Sequence, residues 1–480
     1  MGTDTHNPTA DGLDAPAGGH ETAKAPLDAP VGGHETALAP LDALAQGFRQ
    51  RTWSTAKLAM KAGFAALGKT LRPNSKHNGV DVEKARRAAL AMVSEMERLK
   101  GLTMKFGQMA SYLNASLPPE AQQALATLQS QSQPMSWAAA SGVIEEELGQ
   151  AAEEAFDEIE TSAFAAASLG QVHRARLGER RLAVKIQYPG IQAATRSDLK
   201  TVGGLARLAL LFGPLPGGQL VEELGRRVLE ECDYRREAHN QLLFAELLAE
   251  IPGASVPGVC LERSAGRVLS SDLVEGMDFQ RFAATADQAR KDEAGKTIFG
   301  ACLDTVFRHA VFNADPHPGN YLFTDEGVCF LDFGCVLYYS GEFIARWKRL
   351  ARSILEDDRA GFRDALVDAG LVKTTRGFDW DEAWHVFNHV YVPFKSPTPY
   401  RFTKAYVMES YDVMVWQNKN MMKSTVPREW LFLNRLQWGL NSVLAELDAS
   451  ARWGDLVEHA LAQPTSPIPA PSESIASAAS

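Results

Sequence analysis

The sequence is poor in cysteine and in long apolar segments. These two shortages argue against a disulfide-rich or zinc-binding protein and against a membrane-spanning one. The five cysteines among 480 residues form no C-x-x-C pair and no cluster with histidine: Cys232, Cys260, Cys302, Cys329 and Cys335. This pattern fits neither a disulfide framework nor a zinc site, and it predicts a reducing compartment. No segment reaches the ~18 uninterrupted apolar residues of a membrane-spanning helix. The polar N-terminus also lacks the apolar core of a secretory signal. We therefore expect a cytoplasmic protein, with any membrane contact peripheral and at the inner face of the cell membrane.

Acidic side chains are absent from residues 43–80, although the whole chain has a net charge of −10. The overall charge argues against nucleic acid as a partner. The segment carries seven basic residues, Arg49, Arg51, Lys57, Lys61, Lys69, Arg72 and Lys76. Its large apolar residues recur at helical spacing: Trp53, Met60, Phe64, Leu67 and Leu71. Such a helix suits an anionic lipid surface, or it docks on its own domain with its lysines in solvent, and the pattern favours neither.

Composition and periodicity divide the chain into five expected parts. LDAPAGGHETAKAP at 13–26 is repeated as LDAPVGGHETALAP, a period too short and too rich in Pro, Gly and Ala for a solenoid. We expect a disordered repeat tail, a helical extension, a domain containing strands, a mostly helical domain and a second disordered tail. Their expected bounds are 1–45, 46–160, 161–280, 281–460 and 461–480. The fold class expected from this order is α+β.

The segment from Phe312 to Gly334, FNADPHPGNYLFTDEGVCFLDFG, carries the clearest chemical pattern. Two short apolar runs, 321–324 and 328–331, flank Asp-Glu-Gly and predict a β-hairpin. Asp315 and Asn320 precede this hairpin and Asp332 follows it. Because a hairpin brings its two ends together, these oxygen-bearing side chains converge. Carboxylate and amide oxygens suit Mg²⁺, which is usually held by few protein ligands together with substrate phosphates.

The same residues match the order of parts in a kinase active site. Asp315-x-x-x-x-Asn320 has the spacing of a catalytic loop, and Asp332 begins a D-F-G. LAVK, ending at Lys185, supplies the strand lysine that contacts phosphates in such sites. Its partner should be a helix glutamate in EECDYRREA at 230–238.

The acidic candidates in that helix are Glu231, Asp233 and Glu237. Asp233 and Glu237 are four apart and share a helical face, whereas Glu231 and Glu237 are separated by roughly 240°. The predicted helix therefore has two acidic faces, where an ordinary kinase needs one.

Three parts of an ordinary protein kinase are missing. The glycine-rich loop is replaced by an alanine-rich one, which begins Ala165, Ala166, Ala167, Ser168. The residue directly before Asp315 is Ala314, where the H-R-D of a kinase has arginine. After the D-F-G, a helical pattern begins by about Gly341, with no A-P-E and no long activation segment. A peptide-substrate platform is therefore not expected, and a protein substrate is the least favoured.

With these motifs in order, the chain resembles the UbiB/AarF family of atypical kinase-like proteins linked to ubiquinone biosynthesis. The resemblance runs from about Lys84 to Trp453 and rests on six motifs. These are K-x-G-Q at 105–108, AAASLGQVHRA at 165–175, LAVKIQYPG at 182–190, E-x-D at 231–233, NADPHPGNYL at 313–322 and LDFG at 331–334. It implies a bilobal, protein-kinase-like fold with an N-terminal helical extension that carries K-x-G-Q.

The resemblance also implies a role for each candidate residue. ATP or ADP and Mg²⁺ are the implied cofactors, with Lys185 on the phosphates, Glu237 as its partner and Asp315 as a base or water-orienting carboxylate. Asn320 and Asp332 are the implied metal ligands. The alanine-rich residues 165–168 and Glu275, just beyond the strand predicted at 267–274, are the remaining implied nucleotide contacts. The extension is implied to fold over the site with its K-x-G-Q facing E-x-D, which would pair Lys105 with Glu231 or Asp233. The implied regulatory residues are Lys105, Gln108, Glu231 and Asp233.

Three functions stay open on the sequence alone. The first is an ATP-binding, Mg²⁺-dependent atypical kinase or ATPase that supports ubiquinone or related isoprenoid-lipid metabolism. Its implied partners are a nucleotide, a lipid or quinone precursor, a membrane surface and proteins of quinone biosynthesis. The second is a small-molecule phosphotransferase resembling aminoglycoside or choline kinases. The third is a non-catalytic, nucleotide-gated lipid-binding scaffold.

Overall fold

The structure, a computed structural model, describes residues 135–167, 169–193, 196, 229–420 and 423–471. Its strands, in chain order, are β1 Glu158–Ile159, β2 Ala165–Ala167, β3 Gly170–Leu177, β4 Arg180–Gln187, β5 Ala254–Ser255, β6 Val268–Asp272, β7 Met277–Asp278, β8 Val311–Asn313, β9 Tyr321–Phe323, β10 Val328–Phe330, β11 Val336–Tyr338, β12 Tyr400–Arg401 and β13 Ser450–Ala451.

The α-helices cluster in the second half of the described residues. They are α1 Trp137–Leu148, α2 Ala152–Ala155, α3 Tyr234–Leu248, α4 Phe279–Thr285, α5 Gln288–His309, α6 Gly341–Leu355, α7 Arg359–Asp368, α8 Trp380–Val390, α9 Val392–Lys395, α10 Lys404–Tyr411, α11 Arg428–Glu446 and α12 Trp453–Ala462. Strands therefore dominate the first part and helices the second, as the α+β prediction requires. Within the described ranges, no helix has both the length and the apolar character needed to cross a bilayer.

The first sheet carries the strand that holds Lys185. Its strands run antiparallel in the order β1-β3-β4-β6, and β2 pairs with β3. β3 and β4 are joined by a two-residue turn in which Gly178 has a φ of 59°, a conformation that favours glycine.

One face of this sheet is closed by α1. Ser136 caps the start of the helix by accepting a hydrogen bond from the Ala139 N–H, and Gly149 ends it with a φ of 69°. Its apolar residues Val143 and Ile144 pack in one cluster with Leu182, Val184 and Ile186 of β4.

The hairpin predicted after Asn320 is present. β9 and β10 pair antiparallel, with Phe323 opposite Val328, and the Thr324 N–H donates to the Gly327 carbonyl across the turn. β10 also pairs with β5, and β9 with β7. Separately, β8 pairs with β11, so that the strand before the catalytic loop lies beside the strand after Gly334.

The helical part packs around α5. A large cluster of buried residues joins this helix to α6, α11 and α12 and includes the fully buried Trp453. The helix predicted to begin near Gly341 begins at Gly341, with Ser340 as its cap.

Residues 463–471 follow α12, where composition predicts a disordered tail from 461. The structure instead continues α12 to Ala462 and then places Thr465, Ser466 and Ile468 in hydrogen bonds with the end of α5. Composition carried no sign of these contacts because they depend on backbone groups more than 150 residues away.

Candidate active site

Lys185 is placed by the alternation of side chains along β4. Leu182, Val184 and Ile186 are fully buried on one face of the sheet, so Lys185 projects from the other face. Its Nζ lies 2.7 and 2.9 Å from the two carboxylate oxygens of Glu237 and 3.6 Å from Asp332 Oδ2. One ammonium thus links the strand, a helix and the D-F-G segment.

Glu237 reaches Lys185 because α3 begins just before it. The carboxylate of Asp233 accepts from the Arg235 N–H and caps the helix, which puts Glu237 in the first turn. There the positive end of the helix dipole favours a carboxylate. The ring of Tyr234 lies under the Lys185 ammonium, with 4.9 Å between Nζ and the ring centroid.

The charges in this cluster do not balance. Burial acts to lower the pKa of Lys185, but the carboxylates of Asp332 and Glu237 outweigh it and hold that pKa well above its ordinary value. Burial raises the pKa of Glu237 to about 7, an effect that Lys185 opposes and that Asp332 and Glu231 reinforce. Two carboxylates therefore act on one lysine and a third, Glu231, acts on Glu237, so an additional cation would relieve their repulsion.

The D-F-G segment is held from two sides. Asn313 Nδ2 donates to the Asp332 carbonyl at 2.7 Å, and the Gly334 N–H donates to Asp332 Oδ1 at 2.9 Å. From α3, Asn240 Nδ2 donates to the Phe333 carbonyl at 3.0 Å. Asn240 is fully buried, so the helix that carries Glu237 is tied directly to the segment that carries Asp332.

The catalytic loop folds back on itself between β8 and β9. Asn320 Nδ2 donates to the Asp315 carbonyl at 2.8 Å, and Asn313 Oδ1 accepts from the Asp315 N–H at 3.3 Å. His317 Nδ1 accepts from the Gly319 N–H at 3.0 Å and fixes the tight turn between them. Asp315 is only 3% exposed. The loop therefore holds the Asn320 side chain against the backbone of Asp315.

The alanine-rich segment is a strand and a turn. Ala165, Ala166 and Ala167 form β2 and pair with Val172, Gln171 and Gly170. Ala165 and Ala166 are exposed, so a ligand can approach them. Ser168 lies outside the described residues.

Three predicted site residues remain, namely Glu275, Lys105 and Gln108. Glu275 is exposed and forms an ion pair with Arg181 at the end of the first sheet. Lys105 and Gln108 lie outside the described residues, so their predicted pairing stays a prediction.

Glu231 differs from its predicted position on a helical face. It lies in a turn before α3, so the 240° separation from Glu237 does not apply. Its Cγ is 3.6 Å from the Cβ position that a side chain at Gly334 would occupy, and Glu237 Oε2 is equally close to that position. Glu231 and Glu237 therefore flank the same glycine, and the two predicted acidic faces are one acidic region.

Sequence reasoning missed three residues that order this site. Tyr234 lies beneath the lysine, Asn240 joins α3 to Phe333, and Asn313 joins β8 to Asp332. Asn313 was visible as the first residue of NADPHPGN, but the motif alone does not show what it binds. Asn240 follows Glu237 by three, a spacing that puts both on one side of a helix.

A strand lysine paired with a helix glutamate, beside a D-F-G and an Asp-to-Asn catalytic loop, defines an atypical kinase-like protein. Residues 127–366, half of the chain, match the ABC1 atypical kinase-like domain. The chain belongs to this family, and the resemblance to UbiB/AarF proteins is confirmed.

Individual relatives agree with this assignment. The chain is 31% identical to the protein Activity of bc1 complex kinase 8, chloroplastic, of Arabidopsis thaliana, over 68% of this chain and 43% of that protein. It is 27% identical to the atypical kinase COQ8, mitochondrial, of Schizosaccharomyces pombe, over 85% of this chain and 68% of that one. The chain thus spans less than half of the Arabidopsis relative and about two thirds of the yeast one.

A solved structure shares the fold. It is Rv3197 of Mycobacterium tuberculosis in complex with erythromycin, which is 26% identical to this chain. The match has a TM-score of 0.57 and covers 80% of this chain and 99% of that one. The kinase-like fold predicted from the motifs is confirmed.

Proposed function

We propose that this protein is an ATP-binding, Mg²⁺-dependent atypical kinase or ATPase. The observation that carries the proposal is Lys185, whose ammonium lies within 3 Å of both Glu237 oxygens and 3.6 Å from Asp332. This is the strand lysine, helix glutamate and D-F-G aspartate combination that positions nucleotide phosphates in kinases.

The donor set fits Mg²⁺ bound together with a nucleotide. In the described part of the chain, no group of three or more His, Cys, Asp or Glu side chains is arranged to hold a metal alone. Mg²⁺ does not need such a cage, because one or two carboxylates and substrate phosphates usually suffice. Asp332 and Asn320 would supply the protein oxygens, and the excess negative charge around Lys185 favours the cation.

Asp315 is the candidate base or water-orienting carboxylate. It is buried at the end of β8, and its backbone is held by Asn313 and Asn320. A carboxylate fixed in this way would orient the attacking hydroxyl or water with little reorganisation. The nucleotide would lie along β2 and the start of β3, where the exposed alanines leave room.

The proposed setting is ubiquinone or related isoprenoid-lipid metabolism. Support comes from the yeast relative named COQ8 and from the family match. We propose a lipid or quinone precursor as the second ligand, and proteins of quinone biosynthesis and a membrane surface as partners. The proposed location is the cytoplasm, with peripheral contact at the inner face of the cell membrane.

Asp332→Asn tests the nucleotide chemistry. It removes the carboxylate proposed to bind Mg²⁺ while keeping the side-chain shape, so we expect ATP hydrolysis to fall at least ~100-fold. Asp325→Asn is the matched control, because Asp325 is fully exposed in the turn of the neighbouring hairpin. Steady-state phosphate release with and without Mg²⁺ is the measurement. Equal turnover in wild type and Asp332→Asn contradicts the proposed function.

The pathway needs a separate experiment. Lipid and quinone profiling of a deletion strain, complemented with wild type, Asp332→Asn or Asp325→Asn, tests pathway and catalysis together. We expect quinone levels to recover with wild type and with Asp325→Asn only. Full recovery with Asp332→Asn would instead support a non-catalytic scaffold.

A further inference from the structure

The segment that follows α12 is bound along the base of the helical part. We call residues 463–471, QPTSPIPAP, the C-terminal strap. Two cations of α6 bind where α12 passes into the strap: Lys348 Nζ donates to the Gln463 carbonyl of the strap, and Arg352 Nη2 donates to the Leu461 carbonyl at the end of α12, each at 2.6 Å. Lys348 is only 7% exposed. Cations at the end of a helix bind its unpaired carbonyls favourably, so the start of the strap is firmly held.

The strap then completes the last turn of α5. The carbonyls at the end of an α-helix have no partner within the helix. Thr465 Oγ1 donates to the Phe307 carbonyl at 2.8 Å, the Ser466 N–H to Arg308 at 2.7 Å and the Ile468 N–H to His309 at 3.0 Å. Three consecutive carbonyls of α5 therefore receive their donors from the strap.

The end of α5 determines where the catalytic loop begins. Ala310 caps the helix with a φ of 55°, a left-handed conformation that is strained for a residue with a Cβ. β8 follows at once and leads to Asp315, and its last residue, Asn313, holds the Asp332 carbonyl. A shift in the last turn of α5 would move both carboxylates.

Ile468 connects the strap to the D-F-G segment. Its side chain packs against a buried cluster that contains Val311 of β8, Phe333 of the D-F-G and Val336 of β11. The strap thus contacts β8, the strand before Asp315, through the Ile468 side chain, and it contacts α5, the helix before that strand, through three hydrogen bonds. Among the described residues, the hydrogen bonds of the strap join it to α5, α6 and α12, and none reaches β4 or Glu237.

We propose that the C-terminal strap is a positioning element of the catalytic loop, with Ile468 as its anchor. The proposal rests on the proposed function. Loss of the anchor frees the last turn of α5, so Asp315 and Asp332 lose their alignment while Lys185 and Glu237 keep theirs. We therefore expect kcat to fall while the KM for ATP changes little.

The experiment compares three single variants of the full chain with wild type. Ile468→Ala removes the anchor, Thr465→Val removes one donor to α5, and Ser466→Ala is the control because its side chain is exposed and its N–H remains. We expect kcat to fall about tenfold in Ile468→Ala, less in Thr465→Val and not at all in Ser466→Ala. Ile468→Val should restore most of the loss.

Hydrogen exchange separates positioning from general stability. In Ile468→Ala we expect faster exchange in residues 306–316, and unchanged exchange in β3 and β4, which contribute no residue to the cluster that Ile468 joins. Uniformly faster exchange, unchanged exchange, or faster local exchange with unchanged kcat would each overturn the proposal. Wild-type protein that hydrolyses no ATP would count against the proposed function, whereas the exchange comparison would still decide whether the strap holds the loop.

Discussion

Lys185 illustrates what single residues contribute to this protein. Removing a lysine and a glutamate from water is costly, and a buried ion pair often stabilises a fold less than apolar residues of the same size. Here the pair is accompanied by Asp332, so the cluster retains excess negative charge. Such an arrangement is poorly explained by stability and agrees with the proposed function, in which a bound nucleotide would bring Mg²⁺ to the cluster.

A second buried polar group, His173, lies on β3 away from this cluster. Its Nδ1 is 2.7 Å from the Glu160 carbonyl and its Nε2 is 2.8 Å from Gln171 Nε2. The Gln171 side chain in turn accepts from the Met135 N–H at 2.8 Å. Since Gln171 can only donate from its nitrogen, His173 must be neutral, with its proton on Nδ1.

We predict that His173 makes the protein sensitive to mild acid. Burial lowers the pKa of His173 below its ordinary value of 6.5. The unfolded chain therefore takes up a proton at a higher pH than the folded one, so the contribution of His173 is complete above pH 6.5 and is lost as the pH falls below it. Urea unfolding at pH 7.5 and 5.5 should show a larger loss in wild type than in His173→Gln. The other histidines are common to both proteins, so equal losses would contradict this prediction.

At the scale of elements, the active site depends on how closely β3 and β4 approach. Gly170 opens β3 opposite Gln187, two residues beyond Lys185. A Cβ at this position would lie 2.1 Å from the Ile186 carbonyl oxygen, a backbone atom that cannot turn aside. The glycine is therefore required by packing between the two strands.

We predict that Gly170→Ala destabilises the protein by about 3 kcal/mol, because the strands must separate to admit the methyl group. It should also lower ATP turnover, since β4 carries Lys185. Gly142→Ala is the control: a Cβ there meets nothing within 4 Å, and alanine favours the helix by roughly 0.5–1 kcal/mol. Thermal unfolding of both variants is the measurement. A melting temperature for Gly170→Ala at or above that of wild type would rule out the close approach.

Elements also differ in how well the sequence predicts them. The β9–β10 hairpin and the start of α6 were predicted because their turn and cap residues are adjacent in the chain. The face assigned to Glu231 was wrong because a turn precedes α3, and Asp233, which caps this helix, was taken as a residue within it. Asn240 was missed since its partner, Phe333, lies 93 residues away.

At the scale of the whole molecule, the basic segment at 43–80 carries the proposal of a membrane partner. It lies outside the described residues, so the expectation rests on its charge and periodicity. Its seven cations in a chain of net charge −10 would be attracted to anionic lipid even though the protein as a whole is not.

We predict that four glutamine substitutions in this segment, at Lys57, Lys61, Lys69 and Arg72, weaken binding to anionic vesicles by about 1 kcal/mol for each charge that contacts the surface. The difference should grow at low salt, because screening is weaker there. Sedimentation with phosphatidylserine-containing and purely phosphatidylcholine vesicles measures it. The control removes four exposed charges elsewhere, Lys373, Arg376, Lys404 and Lys419. Wild type that does not sediment with either vesicle would end the membrane proposal.

The amino-acid sequence by itself determined the family, the order of the motifs, the β9–β10 hairpin and most of the candidate catalytic residues. These features depend on residue type and on spacing over a few turns of chain. Tertiary structure alone decided that Glu231 and Glu237 flank the same glycine, that Asn240 joins α3 to the D-F-G, and that a proline-rich end completes α5. Each of these contacts joins segments distant in sequence, so its energy depends on a three-dimensional approach that local patterns do not encode.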